Sequence, residues 1–128
     1  MPEKQAITTA NAPAAVGPYS QANVVGDFVF TAGQLGVDPQ TGQFVSDDVQ
    51  AQTRRALENL RAVLEAAGTD LAHVVKTTVF LSDMANFKAM NEVYATYFEP
   101  PYPARSAVAV KELPLGGLVE IEAVAVKP

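Results

Sequence analysis

The stretch LVEIEAVAV at Leu118–Val126 decides the architecture of this chain. Side chains alternate between the two faces of a strand. One face of this strand is purely apolar: Val119, Ile121, Ala123 and Ala125. The other face mixes large apolar side chains with two carboxylates: Leu118, Glu120, Glu122, Val124 and Val126. That second face is too charged for a dry core and too apolar for a solvated surface, so it predicts a functional site.

The preceding apolar stretch, Pro103–Val110, contains Arg105, the nearest strand-borne partner for these carboxylates. A buried carboxylate costs several kcal/mol unless it is paired. Arg105 has two interpretations: a bidentate anchor for the carboxylate of a small acid substrate, or an intramolecular ion pair with Glu120 or Glu122. Glu120 is in turn either a general base that positions water or a structural partner of the arginine. Periodicity does not choose between Glu120 and Glu122, since both lie on one face.

The remaining sequence predicts the element order β-β-α-β-α-β-β after an extended, irregular segment at residues 1–18. Gly26–Asp27 is a hairpin signal between the first two strands. The predicted elements before Arg105 are strands Tyr19–Val25 and Phe28–Gly33, a helix from Ser46 or Asp47 to Gly68, strand Val74–Leu81, and a helix from Ser82 or Asp83 to about Phe98.

This order predicts one α+β domain over residues 1–128, with a single mixed sheet and two helices on one of its faces. The other face then stays uncovered, and it is the face that carries Glu120 and Glu122. A mixed apolar and charged face of this kind is typical of a surface that associates with another protein chain. We therefore expect a closed homo-oligomer with the site near a subunit boundary.

Composition excludes several classes of function. The chain has no cysteine and one histidine, His73, so thiolate chemistry is impossible and a histidine-rich metal site is not expected. The net charge of −5 argues against a nucleic-acid partner. No apolar stretch is long enough to span a membrane. The N-terminus also lacks the basic-then-apolar order of a signal peptide, so we expect a cytoplasmic protein.

Three further residues have both a functional and an ordinary interpretation. Gly33, in Thr31–Gln34, either lets a backbone N–H approach a ligand or marks a bulge at a strand end. Asn91 shares the stripe of the second helix with Phe87, which favours a packing role. Tyr19 either presents its hydroxyl to a pocket or is an ordinary half-buried tyrosine.

The chain closely resembles the reactive-intermediate deaminase family, known as RidA, YjgF or endoribonuclease L-PSP-like. The resemblance rests on motifs spread along nearly the whole chain: Asn11–Tyr19, Thr31–Gln34, Val75–Leu81, Met90-Asn91, Pro103–Ser106, Leu113-Pro114 and Val119–Ala123. It implies a chorismate-mutase-like fold assembled as a homotrimer, with pockets between subunits and no cofactor or metal.

The implied activity is that of a 2-iminobutanoate/2-iminopropanoate deaminase. Such an enzyme hydrolyses reactive enamines and imines, such as 2-aminoacrylate, to 2-keto acids and ammonia. The ligands implied are thus small 2-imino and 2-keto acids.

The resemblance also implies roles for individual residues. Arg105 would hold the substrate carboxylate with help from the Gly33 backbone, and Glu120 rather than Glu122 would activate the attacking water. Phe87, Asn91 and Tyr19 would line or support the pocket.

Two positions depart from the pattern of many family members. Ala32 stands where many have a serine, and Ala107 where many have a cysteine. Ala107 can still offer its backbone carbonyl to the substrate. The lost serine hydroxyl removes one hydrogen bond, worth about 0.5–1.5 kcal/mol net.

Two other functions compete with the deaminase. One is a non-catalytic regulatory trimer that binds small acids through Arg105. The other, with less support, is a ribonuclease or translation inhibitor, because the acidic chain offers no basic groove.

Overall fold

The strand that carries Glu120 is the centre of the sheet in the computed structural model, which describes residues 3–128. The first two residues, part of the N-terminus on which the signal-peptide prediction rests, lie outside the described residues. The strands are β1 (Gln5–Ile7), β2 (Ala22–Val25), β3 (Phe28–Thr31), β4 (Gln34–Leu35), β5 (Val74–Leu81), β6 (Ala104–Ala109) and β7 (Val119–Val126). The helices are α1 (Val49–Ala66) and α2 (Phe87–Tyr94).

The sheet is single and mixed, with the order β1-β2-β3-β7-β5-β6 and β4 pairing with β7. Strand β7 pairs antiparallel with β3 and β4 on one side and with β5 on the other. Strand β6 is an edge strand, parallel to β5 through the crossover that contains α2. The predicted single mixed sheet with two helices is therefore confirmed.

The two faces of β7 differ as its alternation predicts. Val119, Ile121, Ala123 and Ala125 are at most 4% exposed and belong to the hydrophobic core beneath the helices. Glu120, Glu122, Val124 and Val126 point to the other face and are only partly buried. Phe28 and Phe30 of β3 lie on this same open face, each almost half exposed. The face without helices thus keeps apolar side chains in contact with solvent.

Helix α1 begins one or two residues later than its predicted caps, Asp47 or Ser46, would place it. Asp48 is the N-cap, and its side chain accepts a hydrogen bond from the Ala51 N–H at 2.9 Å. Ser46 instead accepts from the Asp48 N–H at 3.0 Å, which forms a turn ahead of the helix. Gly68, with φ +90°, follows the last turn as predicted, because glycine adopts this left-handed conformation without strain.

Helix α2 ends at Tyr94 rather than near Phe98. A short 3₁₀ turn capped by Asp83 precedes it. After Tyr94 the backbone N–H groups of Thr96 and Tyr97 bond three residues back, which tightens and ends the helix. Phe98 nevertheless packs on Tyr94, with ring centres 4.6 Å apart, so the apolar stripe continues beyond the helix.

Two short strands, β1 and β4, were not predicted from the sequence. Residues 5–7 pair with β2, and only Ile7 among them is partly buried, so no apolar alternation marks them. Strand β4 has only two residues. Over the part of the chain that the structure describes, no helix has the length and apolarity needed to cross a bilayer.

Candidate functional site

The residues singled out from the sequence form two groups on opposite faces of the sheet. Tyr19, Gly33 and Glu120 line a cleft on the side without helices, here called the Glu120 cleft. Phe87, Asn91 and Arg105 form a second group between α2 and β6, here called the Arg105 cluster.

The Glu120 cleft has a volume of about 680 Å³ and mostly apolar walls. Those walls include Pro13, Ala14, Val16, Leu35, Val37 and Leu115. Burial raises the pKa of the Glu120 carboxyl above its ordinary value, and the neighbouring negative charge of Glu122 raises it further. Glu120 is therefore a carboxylate of increased basicity beside an apolar, solvent-accessible cleft.

Gly33 lies directly against the Glu120 side chain. A Cβ atom built on Gly33 would lie 2.7 Å from Glu120 Cδ, 2.8 Å from Cγ and 3.1 Å from Oε2. All of these distances are shorter than ordinary van der Waals contact. Glycine at this position therefore allows the carboxylate to pack where it does, a role that the sequence interpretations of Gly33 did not include.

Tyr19 lies at the rim of the same cleft and is 52% exposed. Its backbone N–H donates to the Gly17 carbonyl at 2.8 Å, which closes a tight turn over Gly17 and Pro18. Ala32, the departure from the family pattern, also lines the cleft. Its methyl group therefore stands where a serine would place a hydroxyl.

Three buried amide side chains hold the segments around the cleft, and none of them was predicted from the sequence. Gln21, 3% exposed, donates to the carbonyls of residues 9, 12 and 13 and accepts from the Thr9 N–H. Asn59 donates to the carbonyls of Leu35 and Val37. Gln52 accepts from the N–H of Leu118, two residues before Glu120. The available signal was the position of Gln52 and Asn59 on the apolar side of α1.

The Arg105 cluster is built by one side of α2. The Arg105 guanidinium donates from Nη1 to Asn91 Oδ1 at 2.7 Å, and its Cζ lies 5.4 Å from the Phe87 ring centre and 4.7 Å from that of Tyr94. Asn91 thus binds the arginine directly, whereas its stripe position favours a packing role. Ala107, two residues along β6, faces the same side and packs against the core.

Tyr94 was not among the predicted site residues, yet it is the closest ring to the arginine. It is 6% exposed, and its hydroxyl is 2.7 Å from Thr77 Oγ1. Burial raises the pKa of Tyr94, while the hydrogen bond with Thr77 and the charge of Arg105 oppose that effect. The tyrosine therefore stays a neutral hydroxyl under the guanidinium.

The ion pair with Glu120 or Glu122, one of the two interpretations of Arg105, is not formed within the chain. Thr77 of β5 is paired with Arg105 on one side and with Ala123 on the other. Paired residues of neighbouring strands point to the same face, so all three side chains point to the helix side of the sheet. Glu120 lies three residues from Ala123 and so points to the opposite side. Strand β5 also separates β6 from β7. The interpretation of Arg105 as an intramolecular partner of either glutamate was therefore wrong.

A metal-binding cluster is not found in residues 3–128, where no three His, Asp or Glu side chains converge. His73 Nδ1 lies 2.7 Å from Asp70 Oδ1, and both side chains are partly exposed. The hydrogen bond with His73 is the main cause of a lowered pKa for Asp70. The histidine is thus engaged in a local contact at the turn before β5.

Comparison with known proteins adds three findings about the whole chain. The family model described as Endoribonuclease L-PSP matches residues 9–127. A RutC family protein of Pyrococcus horikoshii is 55% identical over 124 residues, which cover 97% of this chain and 98% of that protein. The 2-iminobutanoate/2-iminopropanoate deaminase of Capra hircus is 50% identical over 124 residues, 97% of this chain and 90% of its own.

Among solved structures, E. coli TdcF with bound serine superimposes with a TM-score of 0.92 at 44% identity. The match covers 98% of this chain and all of that one. The sheet order and the placement of both helices are therefore shared with a protein whose structure was solved with a small amino acid bound.

Proposed function

The chain belongs to the endoribonuclease L-PSP (RidA/YjgF) family, and from this premise we propose that it hydrolyses 2-imino acids and their enamine tautomers. The products are the 2-keto acid and ammonia, and the substrates proposed are 2-iminopropanoate and 2-iminobutanoate. Relatives that are about half identical over nearly the full chain and are named for this activity support the proposal.

The observation that carries the proposal is the environment of Glu120. A general base works best when its pKa lies near the operating pH. Burial and Glu122 raise the pKa of this carboxyl toward that range. Gly33 lets the carboxylate pack beside the cleft, where a water molecule and a small ligand have room. Glu120 is therefore the group proposed to activate the attacking water.

Arg105 is proposed to hold the substrate carboxylate. A guanidinium has five N–H groups, and only the hydrogen bond from Nη1 to Asn91 is made within the described chain. The remaining N–H groups can form the paired contact that a planar carboxylate requires. The bound serine of E. coli TdcF supports a ligand of this class, since serine also carries a carboxylate next to a nitrogen-bearing carbon.

One chain alone would not bring Arg105 and Glu120 to the same ligand, because the two side chains lie on opposite faces of its sheet. We therefore propose a homotrimer with pockets between subunits, in which Arg105 of one copy completes the Glu120 cleft of the next. The half-exposed Phe28 and Phe30 on the open sheet face support association, because large exposed apolar patches mark interfaces.

The proposed reaction needs no nucleophilic side chain, because the carbon of a protonated imine is already electrophilic. Glu120 takes a proton from water while the water oxygen bonds to that carbon, which gives a carbinolamine. The Glu120 carboxyl then returns the proton to the amine nitrogen. The C–N bond breaks as the hydroxyl oxygen forms the carbonyl, and the departing ammonia takes the hydroxyl proton. Holding the carboxylate and one water together supplies much of the entropic part of the barrier.

The test is a competition assay with 2-iminopropanoate generated in situ by a serine dehydratase. Semicarbazide traps the imine, so a deaminase lowers the yield of trapped product and speeds the release of pyruvate and ammonia. We expect this effect at micromolar protein and its loss in Glu120→Gln. An unchanged partition between trap and hydrolysis would refute the deaminase.

A non-catalytic small-acid-binding trimer is the second candidate, favoured by the amino acid bound to E. coli TdcF. Binding of 2-oxobutanoate without any effect on imine hydrolysis would support it. The endoribonuclease of the family's description has less support here, since the chain carries a net charge of −5 and its one histidine contacts Asp70.

A further inference from the structure

One side of α2 encloses the guanidinium of Arg105. Phe87, Asn91 and Tyr94 follow helical spacing, so their side chains point in one direction. The rings of Phe87 and Tyr94 lie 5.4 and 4.7 Å from Arg105 Cζ, and Asn91 accepts the hydrogen bond from Nη1. The orientation of the guanidinium therefore depends on how these three side chains are themselves held.

Tyr94 is tied to the sheet as well as to the arginine. Its hydroxyl and Thr77 Oγ1 form a buried hydrogen bond of 2.7 Å, and Thr77 is fully buried. Thr77 is also the Cα partner of Arg105 in the parallel β5–β6 pair. The backbone and the guanidinium of the arginine are thus both fixed by the same threonine–tyrosine pair.

Packing alone does not require two hydroxyl groups at this place. Phenylalanine at 94 and valine at 77 would fill nearly the same volume, and replacing both hydrogen-bond partners by apolar groups is close to neutral for stability. The hydrogen bond between Tyr94 and Thr77 adds a fixed plane for the tyrosine ring. That ring is the surface on which the guanidinium of Arg105 rests.

We propose that Tyr94, oriented by its hydrogen bond with Thr77, is a positioning residue that sets the plane in which Arg105 meets a ligand carboxylate. The proposal rests on the proposed function only in taking Arg105 as the carboxylate anchor. A tilted guanidinium keeps its charge but loses the alignment of two parallel N–H groups. The effect therefore falls on ligand affinity rather than on the chemical step.

The test compares Thr77→Val, Tyr94→Phe and the double variant, with Tyr97→Phe as the matched control. Tyr97 lies three residues after Tyr94, but its hydroxyl donates to Glu58 at 2.8 Å and its ring faces Arg61 rather than Arg105. Three quantities are measured for each variant: the Kd of 2-oxobutanoate by calorimetry, KM and kcat for the imine, and the urea midpoint of unfolding.

Each single variant is expected to raise Kd and KM about fivefold, the factor that corresponds to one net hydrogen bond, with a smaller change in kcat. Each single variant also lowers the urea midpoint, because it leaves the remaining hydroxyl of the pair buried without a partner. The double variant regains stability while its affinity stays weak. Tyr97→Phe keeps the affinity of the unaltered protein.

A double variant that recovered affinity together with stability would make the pair a packing element and refute the positioning role. The positioning role is also refuted if Tyr97→Phe weakens binding equally, or if the unaltered protein does not bind 2-oxobutanoate. Binding that depends on the pair without imine hydrolysis would refute the deaminase and support the positioning role.

Discussion

Replacing Gly33 with alanine adds one methyl group beside the proposed catalytic carboxylate. Gly33 does not adopt a positive φ, so alanine introduces no backbone strain there. The three atoms nearest to the new Cβ all belong to the Glu120 side chain. Gly33→Ala therefore displaces Glu120 selectively.

The size of the displacement follows from the distances. The Cβ would lie 2.7 Å from Glu120 Cδ, whereas carbon atoms in contact lie about 3.5–4.0 Å apart, so the carboxyl group moves by about 1 Å. A misplacement of about 1 Å can lower a rate on the order of 10²-fold. The outer part of a glutamate side chain yields easily, so the free energy of unfolding changes by less than about 1 kcal/mol.

We therefore expect Gly33→Ala to lower kcat for imine hydrolysis about as much as Glu120→Gln does, with little change in stability. The matched control places the same substitution in a Glu120→Ala background, where the overlapping atoms are gone. There Gly33→Ala should cause no further loss of activity and a small gain in stability, about 0.4–1 kcal/mol. Imine competition assays and urea titrations of the four proteins measure both effects.

Full activity in Gly33→Ala would refute the reasoning, because it would mean that the position of the Glu120 carboxylate does not matter. An additional loss of activity in the Glu120→Ala background would show that Gly33 acts on something other than this side chain.

Glu120→Gln is expected to lower turnover on the order of 10²-fold and Glu122→Gln only modestly; the opposite ranking would reassign the catalytic carboxylate. Because the folded pKa of Glu120 is raised, its contribution to stability is present below the ordinary glutamate pKa and is lost as the pH rises through the raised value. The stability advantage of Glu120→Gln should therefore grow between about pH 4 and pH 7 in urea titrations, and an advantage that shrinks would contradict the raised pKa. Arg105→Lys should weaken 2-oxobutanoate binding and lower turnover about tenfold or more, because lysine cannot present two parallel N–H groups; unchanged turnover would exclude the anchoring role. Sedimentation equilibrium at micromolar concentration should give a trimer that dissociates in Phe30→Asp, whereas a monomer of the unaltered chain would contradict association through the open sheet face.

Local patterns were enough to predict most of the elements. The alternation of Val119 and Ile121 with Glu120 and Glu122 predicts a strand with one buried apolar face and one mixed face, and the structure has it as β7. Strand β5 matches its predicted bounds because six of its eight residues are β-branched or aromatic. These elements can be predicted because each depends on residues that are neighbours in the sequence. The start of α1 was less well predicted, because it depends on which of several polar side chains forms the cap. The end of α2 was also missed, because the backbone tightens after Tyr94 while the apolar stripe continues.

The relation between the candidate site residues was decided by tertiary structure alone. Arg105 and Glu120 lie on strands that are consecutive in the chain, yet β5 lies between those strands and the two side chains point to opposite faces. Strand order depends on which strand edges pair and which sheet and helix faces are buried against each other. Neighbouring residues in the sequence do not encode those contacts. The contact between Gly33 and Glu120 likewise joins residues far apart in sequence. The sequence by itself determined which residue types are present on which strand; folding determined which of them meet, because side-chain direction follows from the register of neighbouring strands.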